Sequence, residues 1–158
     1  MLIKKISAVS AAALLGWGLN LTPANAAPAY YHLRNNATLN CLDYRADYGP
    51  LPYATQCNEG GYQTWLMNDT IGQLDAMRQN AGSRLCLVAR NGQAAMKPCS
   101  SSDPAALWSE TYTGAGFQVM NNVTKTCLGE QPPDTNGIRH VNLTRCTGGA
   151  SQQWILYR

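Results

Sequence analysis

Six cysteines, Cys41, Cys57, Cys86, Cys99, Cys127 and Cys146, carry the plainest chemistry in this 158-residue chain. Thiols in even number can bind a metal or oxidise in pairs. Zinc calls for Cys-x-x-Cys pairs or for histidines at ligand spacing. Neither occurs, and the only histidines, His32 and His140, are isolated from one another. Disulfides are therefore expected, and with them an oxidising compartment. Catalytic sets are missing too: there is no Gly-x-Ser-x-Gly elbow, no His-Glu-x-x-His and no phosphate-cradling glycine loop. Asp47, Glu59, Asp103 and Glu110 read as solvated loop charges, not as the paired carboxylates a hydrolase needs. The expectation is a protein without catalytic residues, metal or cofactor.

The compartment is supported by the start of the chain. Lys4 and Lys5 precede an alanine-rich apolar stretch that ends at Ala24-Asn25-Ala26, the pattern of a secretory signal spanning 1–26. The stretch is shorter than the ~20 residues a bilayer span requires. A soluble domain over 27–158 is expected, secreted or periplasmic. It holds ten Lys and Arg against nine Asp and Glu. Such a near-neutral surface offers no electrostatic footprint for nucleic acid or an anionic membrane.

The elements that position these residues come in threes. Cys41-Leu42-Asp43 leads to Cys57 and then to Gln63-Thr64-Trp65. Cys86-Leu87-Val88 leads to Cys99 and Ala106-Leu107-Trp108, and Cys127-Leu128-Gly129 leads to Cys146 and Gln152-Gln153-Trp154. The second cysteine of each set precedes its tryptophan by 8, 9 and 8 residues. The copies run over about 30–68, 69–112 and 113–158. The simplest pairing closes each copy on itself, Cys41 with Cys57, Cys86 with Cys99 and Cys127 with Cys146, although six cysteines allow many connectivities.

Tyr30–Arg34, Gln73–Met77 and Phe117–Met120 read as the opening strands, with turns at Gly49-Pro50, Asn58–Gly61, Asn91-Gly92 and Gly148-Gly149. No window repeats apolar residues at helical spacing. One copy is too small to bury its apolar face, so the three must share a core around a pseudo-threefold axis, with Trp65, Trp108 and Trp154 inside it. Gln63 and Gln152 are expected to bond backbone within their own copy. Ala106 cannot, which marks the second copy as degenerate.

The repeated Cys-Leu-Asp, second Cys and Gln-x-Trp marks resemble the ricin B-chain type β-trefoil lectin family, over the chain from about Tyr30 to Arg158. The resemblance implies an all-β trefoil with up to three shallow sugar sites. Each would use an aspartate two residues after the first cysteine, an aromatic platform before the second, and polar residues there and near the Gln-x-Trp. Asp43 supplies the carboxylate in the first copy, where it could accept bonds from two sugar hydroxyls while an aromatic ring covers the apolar side of the sugar. The platform position is Thr55, so Tyr53, Tyr44 or Tyr48 would serve instead, with Gln63 close by. Tyr62 stands where the family carries Asn. Asp43 could equally cap its own turn.

Val88 and Lys97 occupy the aspartate and platform positions of the second copy. Gly129 and Thr144 occupy those of the third, with Glu130 and Asn142 as possible polar contacts. A non-catalytic lectin with one or two live sites for a glycan or glycoprotein is the leading expectation. The alternatives are a protein-interaction trefoil, such as an accessory subunit of a bacterial toxin, and an inhibitor presenting Gln131-Pro132-Pro133-Asp134. Asn36-Ala37-Thr38, Asn68-Asp69-Thr70, Asn122-Val123-Thr124 and Asn142-Leu143-Thr144 match the glycosylation pattern, which matters only in a eukaryotic host.

Overall fold

The computed structural model describes residues 28–68, 74–82 and 84–158. The expected signal over 1–26 and Gln73 lie outside the described residues, as does part of the Asn68-Asp69-Thr70 pattern. Four strands make up the first copy: β1 (Ala29–Asn35), β2 (Cys41–Asp43), β3 (Tyr53–Thr55) and β4 (Trp65–Met67). The third copy repeats them as β10 (Phe117–Asn121), β11 (Cys127–Glu130), β12 (Arg139–Thr144) and β13 (Gln153–Tyr157). In the second copy the opening strand is broken at Met77 into β5 (Asp75–Ala76) and β6 (Arg78–Gln79). It is followed by β7 (Leu85–Arg90), β8 (Gln93–Pro98) and β9 (Leu107–Tyr112).

First and last strands of the copies form a ring: β1 pairs β4, β4 pairs β6, β5 pairs β9, β9 pairs β10, β10 pairs β13 and β13 pairs β1, all antiparallel. The remaining hairpins, β2 with β3, β7 with β8 and β11 with β12, cover one end. This is the closed barrel and triangular cap of a β-trefoil. Among the described residues the only helical elements are single 3-10 turns, two of which, Pro104–Ala106 and Ala150–Gln152, lead into β9 and β13.

The core obeys the symmetry. Trp65, Trp108 and Trp154 have no exposed surface, and each indole Nε1 donates to the carbonyl after the first cysteine of its own copy: Leu42 at 3.1 Å, Leu87 at 2.9 Å and Leu128 at 3.0 Å. A buried indole N–H needs such an acceptor, so each tryptophan both fills the centre and holds its cap hairpin. Leu33, Met77 and Val119 complete the layer from the opening strands, all fully buried. The three disulfides join Cys41 to Cys57, Cys86 to Cys99 and Cys127 to Cys146, within the copies as expected.

Two of the acids read as loop charges are structural. Glu110 lies in β9 two residues beyond Trp108, on the same inward face, and is 5% exposed. The equivalent positions hold Met67 and Leu156, so a carboxylate sits where the other copies place apolar side chains. Burial, and then the charge of Asp75, push the Glu110 carboxyl up to about 7. Asp103 caps the turn into β9 by accepting from the Ala105 N–H, and it pairs with Arg90.

Candidate functional site

The position two residues after the first cysteine is built three different ways. Asp43 is buried, 3% exposed, because β2 is covered on both of its faces. Its Oδ2 accepts from Gln63 Nε2 at 2.9 Å. That same nitrogen donates to the Gln56 carbonyl at 3.1 Å, and Gln63 Oε1 accepts from the Asn58 N–H at 2.7 Å. Gln63 thus bonds backbone within its copy, as its place in Gln-x-Trp suggests, and grips the carboxylate as well. Asp43 Oδ1 is covered and has no partner within ordinary hydrogen-bonding distance, while the Tyr53 phenol interacts with the carboxylate through its side chain.

The second copy replaces both partners together. Val88 and Ala106 stand where Asp43 and Gln63 do, and they pack with Cys86 into a small apolar cluster. The third copy keeps the glutamine and changes its acceptor: Gln152 Nε2 donates to Thr144 Oγ1 at 2.6 Å and to the Arg145 carbonyl at 2.7 Å. At Gly129 a Cβ would stand 3.1 Å from Gln152 Cγ, so any side chain there would first have to push that glutamine aside by a few tenths of an ångström. Glu130 is buried, accepts from Thr38 Oγ1 at 2.6 Å and pairs with Arg139, while Asn142 Oδ1 accepts from the Ala94 and Leu143 N–H groups.

Around Asp43 the tyrosines divide into two classes. Tyr44 and Tyr53 are 9% and 7% exposed, so neither offers an open ring face, and Tyr44 belongs to the main core. Tyr53 is paired with Asp43 across the β2–β3 ladder. Burial, and secondarily the Asp43 charge, hold its phenol well above the ordinary range. Tyr48 and Tyr62, in contrast, are 52% and 46% exposed. Between them lies Arg45, whose guanidinium carbon is 5.2 Å from the centroid of each ring. Tyr48 in turn leans on Tyr53, centroid to centroid 5.4 Å. The guanidinium is also held edge-on by Asp47, through Nε to Oδ1 at 3.2 Å and Nη2 to Oδ2 at 2.8 Å. This pairing raises the Arg45 pKa further.

A cleft of about 340 Å³ opens beside this cluster, lined by Tyr44, Arg45, Asp47 and Tyr62 and, from the second copy, by Gln79 and Leu85. The surface joins stacking faces to hydrogen-bonding groups, as a polyhydroxylated ring requires. The loop considered for an inhibitor is braced on itself. Asp134 Oδ1 accepts from the Asn136 and Ile138 N–H groups, and its Oδ2 meets His140 Nε2.

Sequence reading passed over a third set of buried amides, Asn35, Gln79 and Asn121. Each side-chain nitrogen donates to the carbonyl just before the Gln-x-Trp position of the preceding copy: Ser151 at 2.8 Å, Tyr62 at 2.6 Å and Ala105 at 2.9 Å. Their recurrence two residues after Leu33, Met77 and Val119 was the available signal. Gln79 thereby fixes the backbone that presents Tyr62.

Comparison with solved structures places the chain among trefoils. It is similar to the Haemophilus ducreyi cytolethal distending toxin structure, with 18% identity, 80% of this chain and 81% of that chain covered, and a TM-score of 0.66. Against the designed threefold-symmetric protein ThreeFoil the figures are 19%, 82%, 98% and 0.69. For the earthworm lectin C-terminal domain mutant in complex with 6'-sialyllactose they are 16%, 82%, 98% and 0.63. At these identities the likeness is one of fold. No curated protein sequence matches the chain. The family model described as "Ricin-type beta-trefoil lectin domain" matches residues 29–154. With the barrel, the three internal disulfides and the repeated tryptophan bonds all in place over that span, the chain belongs to the ricin-type beta-trefoil lectin domain family.

Proposed function

We propose that this protein is a secreted, non-catalytic glycan-binding module whose working site lies in the first copy, around Asp43 and the Tyr48, Arg45 and Tyr62 surface. One observation carries the reading. Only this copy has a carboxylate at the position after Cys-Leu, gripped through Oδ2 by Gln63 and lying opposite Tyr53, on which the exposed Tyr48 ring leans. An acceptor held so firmly costs little further entropy when a hydroxyl binds it. Oδ1 is covered in the free protein, so binding involves a side-chain shift at the rim, a common adjustment at interfaces. Tyr48 and Tyr62 then supply the stacking that the buried Tyr44 and Tyr53 cannot.

A glycan array followed by titration calorimetry tests the assignment. Asp43→Asn keeps an oxygen for Gln63 and replaces the other acceptor by a donor. Loss of at least about tenfold in affinity is expected, the scale of one charged hydrogen bond, with the circular dichroism spectrum unchanged. A variant that binds like the parent removes Asp43 from the site.

The second and third copies favour a second reading, a protein-interaction trefoil, because Val88 with Ala106 and Gly129 with Thr144 have no such acceptor. The fold shared with the cytolethal distending toxin structure agrees with a toxin accessory subunit. Sedimentation of the protein from its native culture separates the two: a stoichiometric complex supports this reading, and a monomer that binds glycan opposes it.

A further inference from the structure

We infer that Asp47 sets the charge selectivity of the first-copy site: by occupying the guanidinium edge of Arg45 it confines the site to neutral glycans and excludes carboxylated ones. The inference rests on the glycan-binding reading above and adds to it the substrate class and the residue that determines it.

Arg45 is the cation at the centre of the exposed cluster, and a guanidinium edge is the natural partner for the carboxylate of an acidic sugar. Here that edge is already taken. Nε and Nη2 of Arg45 both bond Asp47, at 3.2 and 2.8 Å, and the guanidinium carbon lies 5.2 Å from the Tyr48 and Tyr62 centroids, so the Nη1 end is what remains for a ligand. The local charge count points the same way. Arg45 is set against Asp47 and, behind the rings, the buried Asp43, so an incoming carboxylate meets more negative charge than positive. The Tyr53 phenol stays protonated and so adds no charge of either sign. A neutral pyranose avoids this conflict, because its apolar face needs only the exposed rings and its hydroxyls need only acceptors.

The pair is exposed, with side chains 41% and 61% accessible. A bond of that kind is weak in free-energy terms. Asp47 nevertheless stands two residues from Arg45, and its local concentration exceeds that of any dissolved ligand. The arrangement is therefore a gate that one substitution opens.

The test uses neutral oligosaccharides matched with their sialylated or uronic-acid counterparts, on an array and then by calorimetry. The parent protein is expected to favour the neutral member of each pair. Asp47→Asn should raise affinity for the acidic member by about fivefold relative to the neutral one, the scale of one exposed ion pair. Adding Arg45→Gln to that variant should abolish the gain. A parent that prefers acidic glycans, or a gain that survives the loss of Arg45, overturns the inference while leaving glycan binding intact. Absence of any bound glycan overturns the proposed function and this inference with it.

Discussion

Gln63 has no exposed surface and uses its amide on Asp43, Gln56 and Asn58 at once. Gln63→Ala should therefore cost roughly 2–3 kcal/mol in urea unfolding, since it strands a buried carboxylate as well as backbone groups. The second copy indicates how the loss is relieved: Asp43→Val combined with Gln63→Ala recreates the Val88 and Ala106 arrangement. The double variant should be more stable than Gln63→Ala alone, and a simple sum of the two single costs would contradict the coupling. Glu110 gives a pH prediction. Its carboxyl is raised from an ordinary 4.5 to about 7 by burial, so the folded state holds a proton that the unfolded state has released. This stabilising contribution is complete below about pH 4.5 and is lost as pH rises through 7. Glu110→Gln should flatten that window and stabilise the protein at pH 8 by roughly 2–3 kcal/mol, read from unfolding midpoints across pH. In sequence, Asp43 stood out by its place in the repeat, but its grip by Gln63 did not, because two side chains twenty positions apart meet only in the folded cap. Glu110 was misread as a loop charge although it alternates with Trp108 along one strand, which was sufficient to place it inside.

Among the elements, the turn between each opening strand and its cap hairpin carries a shared strain. Leu39, Arg84 and Lys125, each two residues before the first cysteine of its copy, adopt φ of +63°, +47° and +56°. Side chains other than glycine and asparagine are disfavoured there. Leu39 is also 58% exposed and contributes nothing to the core. Leu39→Asn should stabilise the fold by about 0.5 kcal/mol, seen as a small rise in thermal midpoint, and a fall would show that the leucine contributes something the turn needs. None of this was legible in the sequence, since no glycine marks the three positions. Strand placement was legible in Tyr30–Arg34 and Phe117–Met120, short runs rich in aromatic and apolar residues ahead of the Cys-Leu marks. The break of the second opening strand at Met77 was not, for the strand keeps its inward side chain while its ladder is interrupted.

At the scale of the whole molecule, the fold was readable because three unequal sequences keep one set of marks, and only a shared centre explains a thrice-repeated buried indole. The proposed sugar site was not readable to the same degree, because its exposed rings, Tyr48 and Tyr62, fall at positions that have no equivalent aromatic in the other copies. The barrel closes by β1 against β13, with His32 opposite Tyr157 and Asn35 opposite Trp154. No copy can leave without opening the ring, so unfolding should be a single transition, with tryptophan fluorescence and far-ultraviolet circular dichroism coincident. Separate transitions would mean that the copies are independent. The β1 and β13 pairing also occupies the same place in the ring as the β9 and β10 pairing, where Phe117 lies opposite Tyr112 and the chain simply turns between them. The order in which the thirds are strung is thus arbitrary to the barrel. A circular permutant joined from Arg158 to Ala29 by a short glycine-rich peptide, and opened at Gly114, should reach the same native architecture from a chain that starts two thirds of the way round.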